Sequence, residues 1–441
     1  MKKVIKKLNI SQMIVLGFLT VLLIGGFLLM LPISSNTPTF TNFWDAFFTA
    51  TSALCVTGQV TLNTAEHWSL FGKTVIMILI EIGGLGFMSI LVVFFFMMGK
   101  KLNLKQKLVI QESLNLDEIS ETKTLVRYVV MFSLTIQSIG AILLSIDFIP
   151  RLGLLKGIYY SIFHSISAFC NAGFDLFGDS LIGFQENPFV LIVVMLLIFI
   201  GGLGFIVWRD LFTYRKDGKL LFHTKVVLMM SAIVMSTAFI LFLFSETQNE
   251  TFAHLSPFHR IVNTMFLVVT PRTAGFSNID YKMISIAGLF LTFVLMFVGG
   301  SSGSTSGGFK ITTLFVLFTF LTASLRNEEP HFKNRSIGKD RIEKTIALLI
   351  IGVSLITVIT FLLLLTQASM SLDSILMEVF SCFGTVGLSM GVTPLLNSFG
   401  KLLLMILMFM GRVGTLTVIL SLSHHDKKSK IHYPEGKILI G

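Results

Sequence analysis

Long apolar runs restrict what this chain can fold into. The runs MIVLGFLTVLLIGGFLLMLPI (13–33), FVLIVVMLLIFIGGLGFIVW (189–208) and IALLIIGVSLITVITFLLLL (346–365) each approach the roughly 20 residues that a membrane-spanning helix needs. Hydrophobic residues make up 53% of the chain and charged residues only 13%, which leaves too little polar surface for a soluble globule. The chain is therefore predicted to be an all-α integral membrane protein.

The net charge of +10 is concentrated at the boundaries of the apolar runs. Lys and Arg form clusters within residues 2–7, 100–127, 209–225, 326–344 and 427–437. These clusters recur at every second boundary, which is the positive-inside pattern of a multi-pass protein with both termini in the cytoplasm. The basic charge therefore predicts orientation in the plasma membrane and contact with membrane lipid, and it does not indicate a nucleic-acid partner.

An internal repeat is visible in four shorter segments that end on small residues around a glycine. The glycines are Gly58, Gly173, Gly275 and Gly387, spaced 115, 102 and 112 residues apart. Each precedes a second Gly-containing motif (GGLGF, GGLGF, GGSSG and GRVGT) by 25, 28, 24 and 24 residues. This near-constant offset predicts four units of spanning helix, short pore helix, glycine turn and second spanning helix.

The predicted architecture has eight spanning helices and four re-entrant pore helices around a central pore. The predicted units are repeat 1 (1–99), repeat 2 (100–213), repeat 3 with an interrupted second span (214–325), repeat 4 (326–421) and a cytoplasmic tail (422–441).

Four glycine turns at membrane depth predict an ion selectivity filter. Lipid cannot satisfy the peptide groups of non-helical backbone, so such turns must line a water-filled cavity or be buried in protein. Carbonyl oxygens from four loops can replace the hydration shell of an ion, and glycine permits the backbone angles that direct them inward. The glycines of the two GGLGF motifs, Gly83, Gly86, Gly201 and Gly204, are instead predicted to let helices pack closely.

The remaining reactive residues offer no catalytic arrangement. Cys55, Cys170 and Cys382 lie beside small residues in apolar surroundings and are interpreted as buried thiols rather than as a disulfide or metal site. No nucleophile with a matching base and no metal-binding motif is apparent in the sequence, so the chain is not predicted to be an enzyme and needs no organic cofactor.

The stretch GGSSGSTSGG at 299–308 admits three interpretations. A phosphate-binding loop would need Lys where Phe309 stands and a preceding buried strand. A surface linker would break the alternation of basic clusters. The third interpretation is that the second span of repeat 3 is interrupted below the filter, and that its free polar groups form a movable plug in the pore.

Arg412 belongs to the same prediction because it aligns with Gly300 in the repeat. An Arg inside an apolar run costs roughly 2.5 to 3.5 kcal/mol or more unless it faces a cavity or a partner. It is predicted to face the vestibule and hold the plug by hydrogen bonds to backbone carbonyls, and pairing with an acidic residue is the alternative. Lys310 is predicted either to assist or to extend to the membrane interface.

These motifs resemble the Trk/Ktr/HKT superfamily of potassium-uptake proteins over nearly the whole chain, and most resemble the Ktr membrane subunits. The tripeptides V-T-G, N-A-G, T-A-G and T-V-G match the filter position of the family. The resemblance implies that K⁺ is the transported ion, because glycine in all four repeats goes with potassium and Ser in the first goes with sodium. None of the four copies is the TVGYG of potassium channels, which predicts a short filter with modest selectivity.

The predicted filter residues are Val56, Thr57, Gly58, Asn171, Ala172, Gly173, Thr273, Ala274, Gly275, Thr385, Val386 and Gly387. The predicted gate comprises Gly299, Gly300, Ser301, Ser302, Gly303, Ser304, Thr305, Ser306, Gly307, Gly308, Lys310 and Arg412. The resemblance supports the gate, since Ktr proteins carry an intramembrane gating loop here.

The resemblance also implies partners. Ktr membrane subunits are homodimers that sit on a cytosolic ring of nucleotide-binding RCK subunits, and the loops at 100–123 and 326–344 could dock such a ring. The main functional prediction is thus a passive or sodium-assisted potassium pathway. The alternative is an ion-coupled solute symporter with broken helices, although symporters usually show two long repeats rather than four short ones.

Overall fold

The computed structural model describes residues 10–86, 122–246 and 252–422. The predicted docking loop at 100–123 and the C-terminal tail lie almost entirely outside these residues, as do three of the five basic clusters in whole or in large part. The part described is built from α-helices joined by short loops and turns, with one two-stranded hairpin.

The helices are numbered here in chain order within the described residues. The first are α1 (Ile10–Met30), α2 (Phe43–Leu54) and α3 (Leu70–Leu85). Next come α4 (Thr122–Leu152), α5 (Leu154–Cys170), α6 (Pro188–Leu203) and α7 (Phe205–Asp217). They are followed by α8 (Phe222–Ser245), α9 (Pro257–Val269), α10 (Ile286–Phe297) and α11 (Ile311–Arg326). The last are α12 (Lys339–Thr366), α13 (Leu372–Gly384), α14 (Ser398–Val413) and α15 (Thr415–Leu422). Between α11 and α12, β1 (His331–Phe332) pairs antiparallel with β2 (Arg335–Ser336).

Four helices of the described residues, α1, α4, α8 and α12, are each long and apolar enough to cross a membrane. Each is followed by a shorter helix (α2, α5, α9 and α13) and then by a second helix of 12 to 16 residues (α3, α6, α10 and α14). The second helices all begin in the same way: the side chain of Ser69, Asn187, Ser285 or Asn397 accepts a hydrogen bond from the backbone N–H three residues later. Such caps satisfy one of the free donors at a helix start.

Many large apolar side chains lie on the outside of the molecule, while several polar ones are buried inside it. Ile24, Ile142 and Phe361 on three of the long helices are 56%, 65% and 61% exposed. Ser52 and Ser167, at the ends of the short helices, are fully buried. This arrangement suits a lipid solvent around a polar centre and agrees with the predicted membrane protein.

The second helices are less regular than predicted. The sequence analysis expected an interruption in repeat 3 alone, but α6 and α7 meet at an angle of 91°, and α14 and α15 meet at 100°. The bends fall at Gly204 and Gly414, whose φ angles are +96° and +97°. Only glycine adopts such angles without strain, so a single residue ends each helix.

Candidate functional site

The four predicted glycine loops, residues 56–58, 171–173, 273–275 and 385–387, meet in a closed ring. A Cβ atom added to Gly58 would lie 2.3 Å from the carbonyl oxygen of Ala172, and one added to Gly173 would lie 2.8 Å from that of Ala274. At Gly275 the nearest atom would be the Val386 oxygen, at 2.0 Å, and at Gly387 the Thr57 oxygen, at 2.1 Å. Each glycine thus contacts the backbone of the next loop, and the fourth loop returns to the first.

The φ angles follow the same pattern in all four glycine loops. The glycines have positive φ angles of 90°, 68°, 77° and 99°. The residues two places earlier, Val56, Asn171, Thr273 and Thr385, also have positive φ angles of 57°, 60°, 79° and 51°. Positive φ is uncommon outside glycine and costly for a β-branched side chain such as Val56. The sequence analysis did not predict this feature, because the side chains at these positions disfavour it.

A hydroxyl group from each short helix holds the loop that follows it. Ser52 Oγ accepts a hydrogen bond from the Gly58 N–H at 3.0 Å, and Ser381 Oγ accepts one from the Gly387 N–H at 2.9 Å. Ser167 Oγ donates to the carbonyl of Phe174 at 2.7 Å, and Thr270 Oγ1 donates to that of Phe276. These four hydroxyls were missed in the sequence analysis, although Ser52, Ser167 and Ser381 all precede their glycine by six residues.

The serine-rich segment forms a loop, residues 299–310, directly beside two of the glycine loops. A Cβ atom at Gly307 would lie 2.1 Å from Thr385 Oγ1, and one at Gly299 would lie 3.2 Å from Thr273 Cγ2. The base of this loop is closed by the bonds Gly299 N–H to Phe309 O (2.8 Å) and Ile311 N–H to Gly300 O (3.1 Å). We call residues 299–310 the serine loop.

Helix breaks elsewhere in the chain provide the acceptors that hold the serine loop. The last carbonyls of a helix have no partner within it. Where α6 ends before Gly204, the carbonyls of Gly201 and Gly202 accept from the N–H groups of Thr305 (3.3 Å) and Ser301 (3.1 Å). The Ser301 hydroxyl donates to the carbonyl of Leu203. The carbonyl of Gly411, near the end of α14, accepts from the Gly308 N–H at 3.3 Å.

Arg412 joins the serine loop to α3. Its guanidinium donates to the carbonyl of Thr305 in the serine loop and to the carbonyls of Gly83 and Gly84 in α3, the last at 3.2 Å. All three acceptors are backbone oxygens, as the predicted gate requires, and none is an acidic side chain. The final turn of α3 supplies two of them because the helix ends at Gly86, where φ is +80°.

Lys310 turns back into the serine loop. Its Nζ atom donates to the carbonyls of Ser306 (2.5 Å) and Gly307 (3.3 Å). A cavity of about 680 Å³ adjoins the loop, and Lys310, Arg412, Gly84 and Ser304 are among the residues that line it. The serine loop therefore contacts two of the glycine loops and also lines this cavity, together with the basic side chains of Lys310 and Arg412.

The packing prediction for the GGLGF glycines is partly wrong. Gly83 and Gly201 do allow close approach, since an added Cβ would lie 1.9 Å and 2.0 Å from the carbonyls of Leu54 and Phe169. Gly86 instead ends its helix at positive φ, and a Cβ atom there would meet nothing within 4 Å. Gly204 also ends its helix at positive φ, but it allows close approach as well, since an added Cβ would lie 2.5 Å from Ser301 Oγ. Repeated glycines therefore mark both close contact and helix termination.

The three cysteines are free and buried, as predicted. No group of His, Cys, Asp and Glu that could hold a metal ion occurs within residues 10–86, 122–246 and 252–422.

Comparison with known proteins identifies the family. The sequence pattern of TrkH, described as a cation transport protein, matches residues 7–432. The chain is 46% identical to the potassium/sodium uptake protein NtpJ of Enterococcus hirae, covering all of this chain and 99% of that protein. It is 40% identical to the Ktr system potassium uptake protein B of Bacillus subtilis, with the same coverage.

A solved structure supports the fold. The potassium transporter TrkH from Vibrio parahaemolyticus superposes with a TM-score of 0.69 at 19% identity, covering 92% of this chain and 84% of that one. Together with the matches over the full length of the sequence, this places the helices described above in a known architecture. The chain belongs to the TrkH/Ktr family of cation transport proteins.

Proposed function

We propose that this chain is the potassium-translocating membrane subunit of a Ktr-type potassium uptake system. The observation that carries the proposal is the closed ring of Gly58, Gly173, Gly275 and Gly387, in which each glycine faces a backbone carbonyl of the next loop. The printed names of the two relatives above, a potassium/sodium uptake protein and a potassium uptake protein, support the choice of ion.

The glycine ring acts as a selectivity filter. In each loop the residue two places before the glycine and the glycine itself have positive φ, while the residue between them does not. This alternation turns successive carbonyls toward the same side of the backbone, where they replace part of the hydration shell of K⁺. The filter residues are the three of each loop, and the hydroxyls of the short helices fix their position.

The architecture that fits this role has eight spanning helices and four re-entrant helices. The long helices α1, α4, α8 and α12 are the first spans of the four predicted repeats. The short helices α2, α5, α9 and α13 point their C-termini at the ring, and the second helices with their continuations complete the crossing. Because the carbonyl end of a helix carries partial negative charge, this arrangement favours a cation at the ring. Both termini lie in the cytoplasm.

The serine loop is the gate. Its residues Thr305 and Ser306 are buried, and it lies between the ring and the 680 Å³ cavity. Arg412 and Lys310 place two positive charges at this point, so in the closed position they oppose the passage of K⁺. The gate opens when the loop leaves the carbonyls of the broken helices.

Regulation comes from partners outside the chain. As in the family, the membrane subunit forms a homodimer on a cytosolic, nucleotide-binding RCK-type ring. The hairpin of β1 and β2, with the connecting residues between α11 and α12, is one surface for that ring. Movement of α11 would be transmitted directly to the serine loop, because α11 begins at Ile311, one residue after Lys310. Sodium stimulation is a further part of the proposal.

A second candidate is an ion-coupled symporter for a small solute. The 91° and 100° breaks in the second helices favour it, since discontinuous helices bind substrates in such transporters. The ring argues against it, because the loops approach too closely to leave room for an organic substrate between them.

Ion flux in proteoliposomes tests the proposal. Purified protein is reconstituted with and without the cytosolic partner, and uptake of K⁺, Na⁺ and a mixture of small organic solutes is followed. We expect K⁺ uptake that exceeds Na⁺ uptake and responds to the partner. Uptake of a solute that depends on an ion gradient, with no K⁺ current in its absence, would favour the symporter.

A further inference from the structure

A buried carboxylate lies behind the fourth glycine loop. Glu378 is on α13, nine residues before Gly387, and is 1% exposed. Its Oε2 atom accepts hydrogen bonds from Gln59 Nε2 at 2.8 Å and from Thr393 Oγ1 at 2.7 Å. Its Oε1 atom accepts one from the Ser389 hydroxyl. A buried carboxylate is costly unless such donors compensate, and here three side chains do so.

Two of these donors are close to ring glycines of different loops. Gln59 directly follows Gly58, and Ser389 is two residues after Gly387. Gln59 is itself 1% exposed, and its side-chain oxygen accepts from Cys382 Sγ at 2.5 Å. The Glu378 carboxylate therefore connects the first and fourth loops through residues that follow their glycines in the sequence.

The second loop offers a comparison within the same chain. His164 precedes Gly173 by nine residues, as Glu378 precedes Gly387. Its Nε2 atom accepts from the Leu176 N–H at 3.3 Å, and its Nδ1 atom bonds the carbonyl of Tyr160 at 2.7 Å. Both partners belong to its own short helix and loop. At equivalent positions, His164 supports one loop and Glu378 joins two.

Glu378 joins the fourth and first loops, which are neighbours in the ring but are not consecutive in the sequence. Loops one and two, two and three, and three and four are consecutive in sequence, whereas loops four and one are 329 residues apart when Gly58 and Gly387 are compared. Other contacts also cross this junction, including Lys401 Nζ to Asp45 Oδ1 at 2.7 Å. At this junction the backbone contact of Gly387 with Thr57 is therefore supported by side-chain contacts rather than by a short connection of the chain.

We propose that Glu378 is a positioning residue for ion selectivity, and that its carboxylate sets the distance between the first and fourth loops of the ring. The inference rests on the proposed role of the ring as the filter. Cation discrimination by carbonyls depends on how many of them surround the ion and how far apart they can move. A looser junction would let the ring adjust to a smaller ion.

The test compares Na⁺ and K⁺ permeability of reconstituted variants, expressed as a ratio so that the amount of folded protein cancels. Glu378→Gln retains the shape and can keep an acceptor oxygen toward Gln59, but it removes the charge that strengthens the three bonds. We expect the Na⁺/K⁺ ratio to rise roughly three- to tenfold, the effect of one charge-assisted bond. Asp210→Asn, the control, neutralises another buried carboxylate, which lies on α7 outside the ring loops, and should change the ratio less than about twofold.

A double variant that exchanges Glu378 and Gln59 tests whether the effect comes from the bond between these two residues. In Glu378→Gln combined with Gln59→Glu, the carboxylate and the amide exchange places, so that a charge-assisted bond between the loops can form again. We expect the ratio to return toward the wild-type value. If the Na⁺/K⁺ ratio of the double variant differs from wild type as much as that of Glu378→Gln alone, the inference is overturned.

Gly58→Ser, measured in parallel, separates failure of this inference from failure of the proposed function. A changed ratio in Gly58→Ser with a wild-type ratio in Glu378→Gln overturns the role of Glu378 and leaves the filter in place. Wild-type ratios in both variants would overturn the filter and the inference together. If Glu378→Gln does not fold, Gln59→Leu removes the same bond from the other side and must raise the ratio for the inference to stand.

Discussion

The glycine ring and the serine loop lie next to each other but are held in different ways. Each ring loop is fixed by its own short helix, as Ser52 fixes Gly58 and Ser381 fixes Gly387. The serine loop is fixed by groups far away in sequence, with acceptors on α6 and α14 and a donor in Arg412, 107 residues from Thr305. Local bonds make the ring rigid, whereas dispersed bonds allow the loop to be released as a unit. Selectivity and gating should therefore change independently.

The largest effect on ion selectivity is expected from Gly58→Ser. The added Cβ would lie 2.3 Å from the Ala172 oxygen on a backbone with φ of +90°, so the ring must distort. We expect the Na⁺/K⁺ permeability ratio to rise roughly tenfold or more, with gating by the partner retained. The ratio is measured in proteoliposomes under opposing ion gradients.

Gly183→Ser is the control for Gly58→Ser, because a Cβ atom there would meet nothing within 4 Å. It should behave as wild type. An unchanged ratio in well-folded Gly58→Ser would remove this glycine from the filter.

Deletion of Ser301 to Ser306 should have the largest effect on K⁺ flux. It removes the serine-loop groups that bond Gly202, Leu203 and Arg412, while the ring contacts remain. We expect K⁺ flux without the partner to rise roughly ten- to a hundredfold with the Na⁺/K⁺ ratio nearly unchanged. Lower flux would make the loop a structural hinge, and a collapse of selectivity would assign it to the filter.

Arg412→Ala should raise basal K⁺ flux by a smaller factor of roughly ten. The serine loop loses one charged donor but keeps its bonds to α6 and α14. Arg412→Lys keeps the charge but not the forked geometry of the guanidinium, so its flux should lie between those of the wild type and Arg412→Ala. Flux at or below the wild-type level in Arg412→Ala would contradict a latch role for this residue.

Ser301→Ala tests a single neutral bond of the serine loop, from the Ser301 hydroxyl to the carbonyl of Leu203. We expect basal flux to rise roughly two- to fivefold, in line with the strength of one such bond. Ser302→Ala is the matched control, because the Ser302 hydroxyl bonds Thr312, beside the serine loop in sequence, at 3.0 Å. Equal effects in both variants would show that the loop is not held through α6.

The last prediction concerns the orientation of the chain in the membrane, and its test does not depend on ion flux. Positive-inside counting puts residues 60–69, 246–256 and 391–398 outside the cell and residues 100–123 and 326–344 inside. A membrane-impermeant thiol reagent applied from outside should label Asn63→Cys and leave Arg335→Cys unlabelled. The native cysteines are buried and should contribute little background. External labelling at position 335 would break the proposed topology.

The sequence predicted the ring better than it predicted the gate. The offsets of Gly58, Gly173, Gly275 and Gly387 identified four glycines that meet in the structure, because each belongs to a local helix-and-turn signal. The positive φ of Val56 could not be predicted, since the ring imposes it against the preference of the residue.

The proposed gate depends on long-range contacts that a local pattern does not contain. Arg412 was identified by the cost of a charge in an apolar run, and its three backbone acceptors agree with that argument. The acceptors themselves, the carbonyls of Gly83 and Gly84, were assigned only to a packing motif. Nothing in GGLGF distinguishes a glycine that admits a neighbour from one that ends a helix, because the difference lies in the rest of the fold.

The fourth and first loops are neighbours in the ring although they are far apart in the sequence. The beginning and the end of the described chain also lie close together, since Gln12 Nε2 donates to the carbonyl of Ser421 at 3.0 Å. The circular order of the four loops is therefore independent of where the polypeptide is cut. A circular permutant, with a linker between these two positions and new termini in a connection between units, should assemble the same ring, and Glu378 and Gln59 would then lie within one continuous stretch of chain.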